Sequence, residues 1–63
     1  MKIGTILINP YATESNPKYK SVYLGIEGNY FKTITLDFKC TAKYYKQDLH
    51  KFIIDGFATI KEG

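Results

Sequence analysis

The sequence predicts an all-β domain: five short strands closing a small barrel, with one 3₁₀ or helical turn before the last strand. Two observations lead there. β-prone residues dominate the chain, and turn residues interrupt them at short intervals. That pattern fits a small barrel or sandwich rather than βαβ units. Size agrees, because 63 residues make one domain, spanning 1–63, near the lower limit for independent folding. Such a chain buries only about 60% of the surface its unfolded form exposes. Its core supplies roughly 3–5 kcal/mol of net stability. The single cysteine, Cys40, excludes an internal disulfide, and with the single histidine, His50, it excludes a Cys/His zinc set. A well-packed barrel or a homo-oligomer remains.

The first strand is predicted over Lys2 to Ile8. Its isoleucines and Leu7 place apolar groups on both faces, as in a covered strand. The stretch "INPYATESNPKYK" then reads as a long loop. Pro10 and Pro17 each remove a ladder donor and hold the preceding asparagine extended. The second strand is Tyr19 to Ile26, with Val22, Leu24 and Ile26 alternating against Tyr19, Ser21 and Tyr23. Glu27-Gly28-Asn29-Tyr30 signals a hairpin. A plain two-residue loop would set Val22 and Leu24 on the face of Thr33 and Thr35. A three-residue connection, or a bulge at Gly25, returns them to the face of Ile34 and Leu36. Register follows the buried face, which favours the odd-length connection.

The third strand is predicted from Tyr30 to Leu36, with a turn over Asp37 to Lys39 and a fourth strand from Cys40 to Tyr45. One long bent strand from Tyr30 to Tyr45 is the competing reading. "KQDLHK", Lys46 to Lys51, has low β propensity and is too short for a stable α-helix, so it predicts one 3₁₀ or helical turn. The last strand is Phe52 to Ile60, with Gly56 at a bulge or bend. Phe31, Phe38, Phe52 and Phe57 are assigned largely to the core.

This order, with a long first loop and a single turn before the last strand, resembles an SH3-like barrel, a topology that hosts many functions. The segments "KIGTILINPYA", "NPKYKSVYLG" and "YYKQDLHKF" together resemble small proteins encoded by phages and prophages of low-GC Gram-positive bacteria. The resemblance implies a phage accessory protein acting on a host factor or on nucleic acid. It carries no catalytic residues across.

Nothing in the sequence forms a catalytic set. His50 lies beside Asp48, Lys46 and Lys51, and reads as a solvated polar residue rather than a general base. Cys40 alternates with Phe38 and Ala42 and reads as a small buried apolar group. The carboxylates are dispersed singly, without metal-loop spacing. The glycines form no phosphate cradle, since Gly25 to Gly28 precede no helix and Gly4 falls inside a predicted strand. No enzyme activity, cofactor or metal is expected. The apolar run Ile6 to Ile8 is far shorter than the roughly 7–15 residues of a signal h-region or the roughly 20 of a membrane span, so a soluble protein of the bacterial cytoplasm is expected.

Binding residues are sought among the tyrosines and lysines. The chain has six tyrosines, too many to hide in so small a core, and "PKYK" and "KYYK" interleave them with lysines. The candidates are Tyr11, Lys18, Tyr19, Lys20, Tyr23, Tyr30, Lys43, Tyr44, Tyr45 and Lys46. Of the adjacent Tyr44 and Tyr45, one points away from the core. Tyr11, Lys18 and Tyr19 are expected on one rim with whichever that is, and the length of the first loop suits a working surface. Two partners fit: a protein, because tyrosine brings area with a polar tip, or a nucleic-acid single strand, with bases stacked on tyrosine and phosphates on lysine. Net charge is only +3, and all nine basic residues are lysine. Arginine is the commonest bidentate reader of guanine, and codon bias in an AT-rich genome accounts for lysine abundance. A host protein is therefore the preferred partner over nucleic acid.

Overall fold

A computed structural model describes residues 1–57. The chain is all-β. Strands β1 (Thr5–Ile8), β2 (Lys20–Glu27), β3 (Tyr30–Thr35), β4 (Thr41–Tyr45) and β5 (Ile53–Phe57) form one antiparallel sheet in the order β4-β3-β2-β1-β5. A 3₁₀ turn over Lys46–Lys51 joins β4 to β5. Five strands and the turn occur in the order the sequence predicts, with shifted ends, and the long-bent-strand alternative is absent. None of the pairings among the described residues joins β4 to β5, so these are the sheet's two edges there, and the expected closure into a barrel is not seen among those residues. The predicted end of the last strand, Ala58 to Ile60, lies outside the described residues.

The hairpin shows how register obeys the buried face. Its loop is two residues, because Glu27 pairs with Tyr30 and Ile26 with Phe31. The loop is not odd in length; the odd residue is supplied inside the strand. Register shifts between Tyr23 and Gly25, leaving Leu24 as the extra residue of a bulge, and Val22 then pairs with Ile34. Both special positions are glycines, Gly25 at φ 108° and Gly28 at φ 63°, which lack the Cβ that penalises positive φ.

Leu7, Tyr23, Phe31 and Phe52 form the core, with Tyr44 and Leu49 packed against them. Phe31 is wholly buried, with Phe52 at 5.0 Å and 90° and Tyr44 at 5.4 Å between ring centroids. Thr5, Ser21, Thr33 and Thr35 complete the inner face. On the outer face Val22 is also fully covered, between its partners Ile6 and Ile34.

Five expectations are corrected. β1 begins at Thr5, because Gly4 turns the chain at φ 102° and Thr5 donates back to the Lys2 carbonyl; Ile3 is consequently exposed. Tyr23 points inward, 5% exposed, because its partner Thr33 lies on the face of Phe31. Ile26 is exposed, beyond the bulge at the hairpin end. Phe38 sits in the β3–β4 turn at φ 59° with its ring exposed. Cys40 precedes the first β4 residue and is exposed rather than buried. Gly56 adjoins a true irregularity: β1 pairs Ile6 with Gly56 and Leu7 with Ile54, so Asp55 is the bulged residue.

Candidate functional site

Strand alternation sorts the candidate tyrosines into two populations. Phe31 pairs with Tyr44, so Tyr44 turns inward, and Tyr45, its neighbour, must turn out. Tyr44 packs on Phe31 and on Phe52, and its hydroxyl accepts a hydrogen bond of 3.0 Å from Asn9 Nδ2. Burial pushes its phenol above the usual value. Tyr23 and Tyr44 thus serve the interior. Tyr30 pairs with Tyr45 across the strands on the outer face, and the two rings stack at 5.2 Å and 26°. They remain 39% and 56% exposed.

Lysines surround this pair. Lys32 and Lys43 are register partners one step along the same face. Lys32 bonds to Glu27, whose carboxyl is held below its usual value first by that hydrogen bond and then by the charges of Lys32 and Lys43. Lys43 and Lys46 make no ion pair among the described residues. Lys46 opens the 3₁₀ turn, where its amide donates to the Asn29 carbonyl at 2.9 Å and ties the turn to the hairpin loop. Beside it lies a cleft of about 530 Å³ lined by Ile26, Asn29, Tyr45, Lys46 and Gln47. Its Ile26, Asn29 and Gln47 were not among the residues the sequence singled out; only the fold of the hairpin onto the turn brings them there.

The first loop is built by its asparagines. Asn9 Oδ1 accepts from the Tyr11 amide at 2.8 Å, and Asn16 Oδ1 from the Lys18 amide at 2.9 Å. Each Asn-Pro pair is therefore an Asx-type turn. The loop closes through Asn9 and Tyr19, whose amide and carbonyl lie 2.7 Å apart. A second cleft, about 650 Å³, opens between this loop and the β3–β4 turn. Ile8, Pro17, Tyr19 and Leu36 line it together with the carboxylates Glu14 and Asp37. Asp37 accepts from Thr35 Oγ1 and from the Lys39 amide, which hold its carboxyl low.

The single rim expected for Tyr11, Lys18, Tyr19 and Tyr45 does not form. Tyr11 lies edge-on against Phe52 at 6.2 Å, a ring that also packs on Tyr44. Tyr19 faces the second cleft, and Lys20 is paired with Asp55 at 3.1 Å. The structure brings together Tyr30, Lys43, Tyr45 and Lys46, and leaves Tyr11, Lys18, Tyr19 and Lys20 around the loop.

His50 Nδ1 donates to the Gln47 carbonyl at 2.8 Å, and the Asp48 carboxylate faces Lys51 at 3.6 Å rather than the imidazole. Among the described residues no three His, Cys, Asp or Glu side chains gather as metal ligands. No helix among them is long and apolar enough to cross a membrane. No family model, no curated protein and no solved structure matches the chain.

Proposed function

We propose that the chain is a non-enzymatic binding protein that docks a protein partner on the corner formed by Tyr30, Tyr45, Lys43 and Lys46. The observation that supports this most is the exposed, mutually stacked pair Tyr30–Tyr45 beside an open cleft. Preordered tyrosines bring large contact area with little rotamer freedom left to lose. The sequence's resemblance to small phage-encoded proteins favours a host protein as the partner, modulated, and most simply inhibited, by occupation of its surface.

A single-stranded nucleic acid fits this corner less well. Each tyrosine ring already covers one face of the other, and Glu27 occupies Lys32. Two lysines without an ion pair among the described residues, Lys43 and Lys46, correspond to a salt slope of only about −1.4 in log–log terms, or roughly sevenfold between 50 and 200 mM salt.

Capture from lysate of a low-GC Gram-positive bacterium tests the reading. The wild-type chain should retain one stoichiometric protein after nuclease treatment. The double variant Tyr30→Ala/Tyr45→Ala should lose about 30-fold or more in affinity, the scale of an interface hot spot. Retention of nothing but nuclease-sensitive material would refute it.

A further inference from the structure

The two edges of the sheet differ, and the difference points to one of them. We infer that the outer edge of β4 (Thr41–Tyr45) takes an added strand: an extended, acidic segment of the protein partner. The inference rests on the proposed protein-binding role and names the chemistry of its occupant.

Exposed strand edges template further pairing, and natural proteins blunt them with bulges, charges or short length. β5 is blunted by a bulge. Its register jumps at Asp55, whose carboxylate turns back to Lys20. β4 is regular. Five consecutive residues pair with five of β3 without a shift, so its backbone is extended and its outer edge evenly spaced. Thr41, Lys43 and Tyr45 are exposed on its outer face, with Ala42 and Tyr44 turned in.

Charge selects the occupant. Lys43 is the middle residue of β4; the Glu27 carboxylate, bonded to Lys32, senses its charge, but among the described residues no carboxylate lies within 4 Å of its ammonium. Antiparallel pairing of β4 with a second copy of itself, centred there, would oppose Lys43 to Lys43, and like charges directly opposite destabilise a sheet. A partner strand with Asp or Glu at that position replaces repulsion by attraction. Its next outward residue lies against the exposed ring of Tyr45, and Lys46 follows for a second acidic group. Main-chain hydrogen bonds then supply affinity and these side chains the selection.

The test uses the full chain, labelled with ¹⁵N, and capped nonapeptides in which Val alternates with Glu or with Lys. The Glu–Val peptide should shift the amides of Thr41–Tyr45 and slow hydrogen exchange at those that β3 does not engage. The Lys–Val peptide should do neither at the same concentration. Lys43→Glu should invert the preference, and Lys43→Gln should weaken Glu–Val binding by about fivefold, the scale of one cross-strand charge pair. Equal binding of the two peptides, shifts confined to β5, or Glu–Val binding that survives Lys43→Glu would overturn the inference. So would oligo(dT) shifting these amides while the Glu–Val peptide does not. Lysate capture separates the two readings. If the partner is lost with Tyr30→Ala/Tyr45→Ala and kept with Lys43→Glu, protein binding stands and the edge does not. If the peptide binds as described and no host protein is captured, the edge stands alone.

Discussion

Asn9 shows how much one side chain can organise in so short a chain. It is buried, its Oδ1 holds the Tyr11 amide, and its Nδ2 reaches Tyr44 in the fourth strand. The Asn16 side chain makes the same local turn in solvent and no other hydrogen bond. Asn9→Ala should therefore cost about 1–3 kcal/mol, the loss of two part-buried hydrogen bonds from a buried side chain. Asn16→Ala should stay within about 0.5 kcal/mol, as at most surface sites. Urea denaturation midpoints check both. Asp37 and Glu27 carry a pH dependence. Both carboxyls titrate below their usual values in the folded chain, Asp37 through Thr35 and the Lys39 amide, Glu27 through Lys32. Their contribution is thus present above the unfolded-state value and is lost as pH falls through the folded one. Thermal midpoints of Asp37→Asn should change less than those of the wild type between pH 5 and about pH 2. An unchanged acid limb would refute the assignment.

At the scale of elements, the bulge in β2 carries the hairpin. It lets a two-residue loop coexist with the Val22–Ile34 pairing, and it depends on Gly25 at φ 108°. A Cβ there would meet Ile3 Cδ1 at 3.5 Å, an ordinary contact, so the penalty of Gly25→Ala is conformational. It should be about 1–3 kcal/mol, the usual cost of a strained backbone residue. Gly56→Ala is the control, since its φ is not positive and nothing lies within 4 Å of the new Cβ. That variant should be neutral or slightly stabilising, because alanine restricts the unfolded chain. Equal losses at the two glycines, measured by chemical denaturation, would remove the bulge from the account.

For the whole molecule, the controlling quantity is the smallness of the core. The radius of gyration, 10.6 Å, is that of a compact chain of this length. Three aromatic rings, Phe31, Phe52 and Tyr44, meet within it at centroid distances of 5.0, 5.1 and 5.4 Å. Truncating a buried phenylalanine costs about 3–5 kcal/mol, and the net stability of such a domain is about the same. Phe31→Ala should therefore be largely unfolded at 25 °C by circular dichroism. A cooperative transition retained near the wild-type midpoint would show that the core lies elsewhere.

The elements and their order were legible from residue type alone, because strands this short are bounded by local chemistry. Asn-Pro turns close the first loop, Gly28 opens the hairpin, and "KQDLHK" resists extension. The need for an extra residue between Val22 and Ile34 was also legible, since apolar residues alternate along both strands. Facing was another matter where a strand is apolar on both sides or begins after an unexpected turn. Tyr23 went inward because Thr33 and Phe31 occupy the same face, and Cys40 outward because β4 starts only at Thr41. Tyr44 and Tyr45 are equivalent in the sequence, and pairing with Phe31 buried the first and left the second to stack on Tyr30. Local preference reaches only a few residues along the chain, whereas which ring is covered depends on cross-strand partners far away in it, and that is settled only when the sheet assembles.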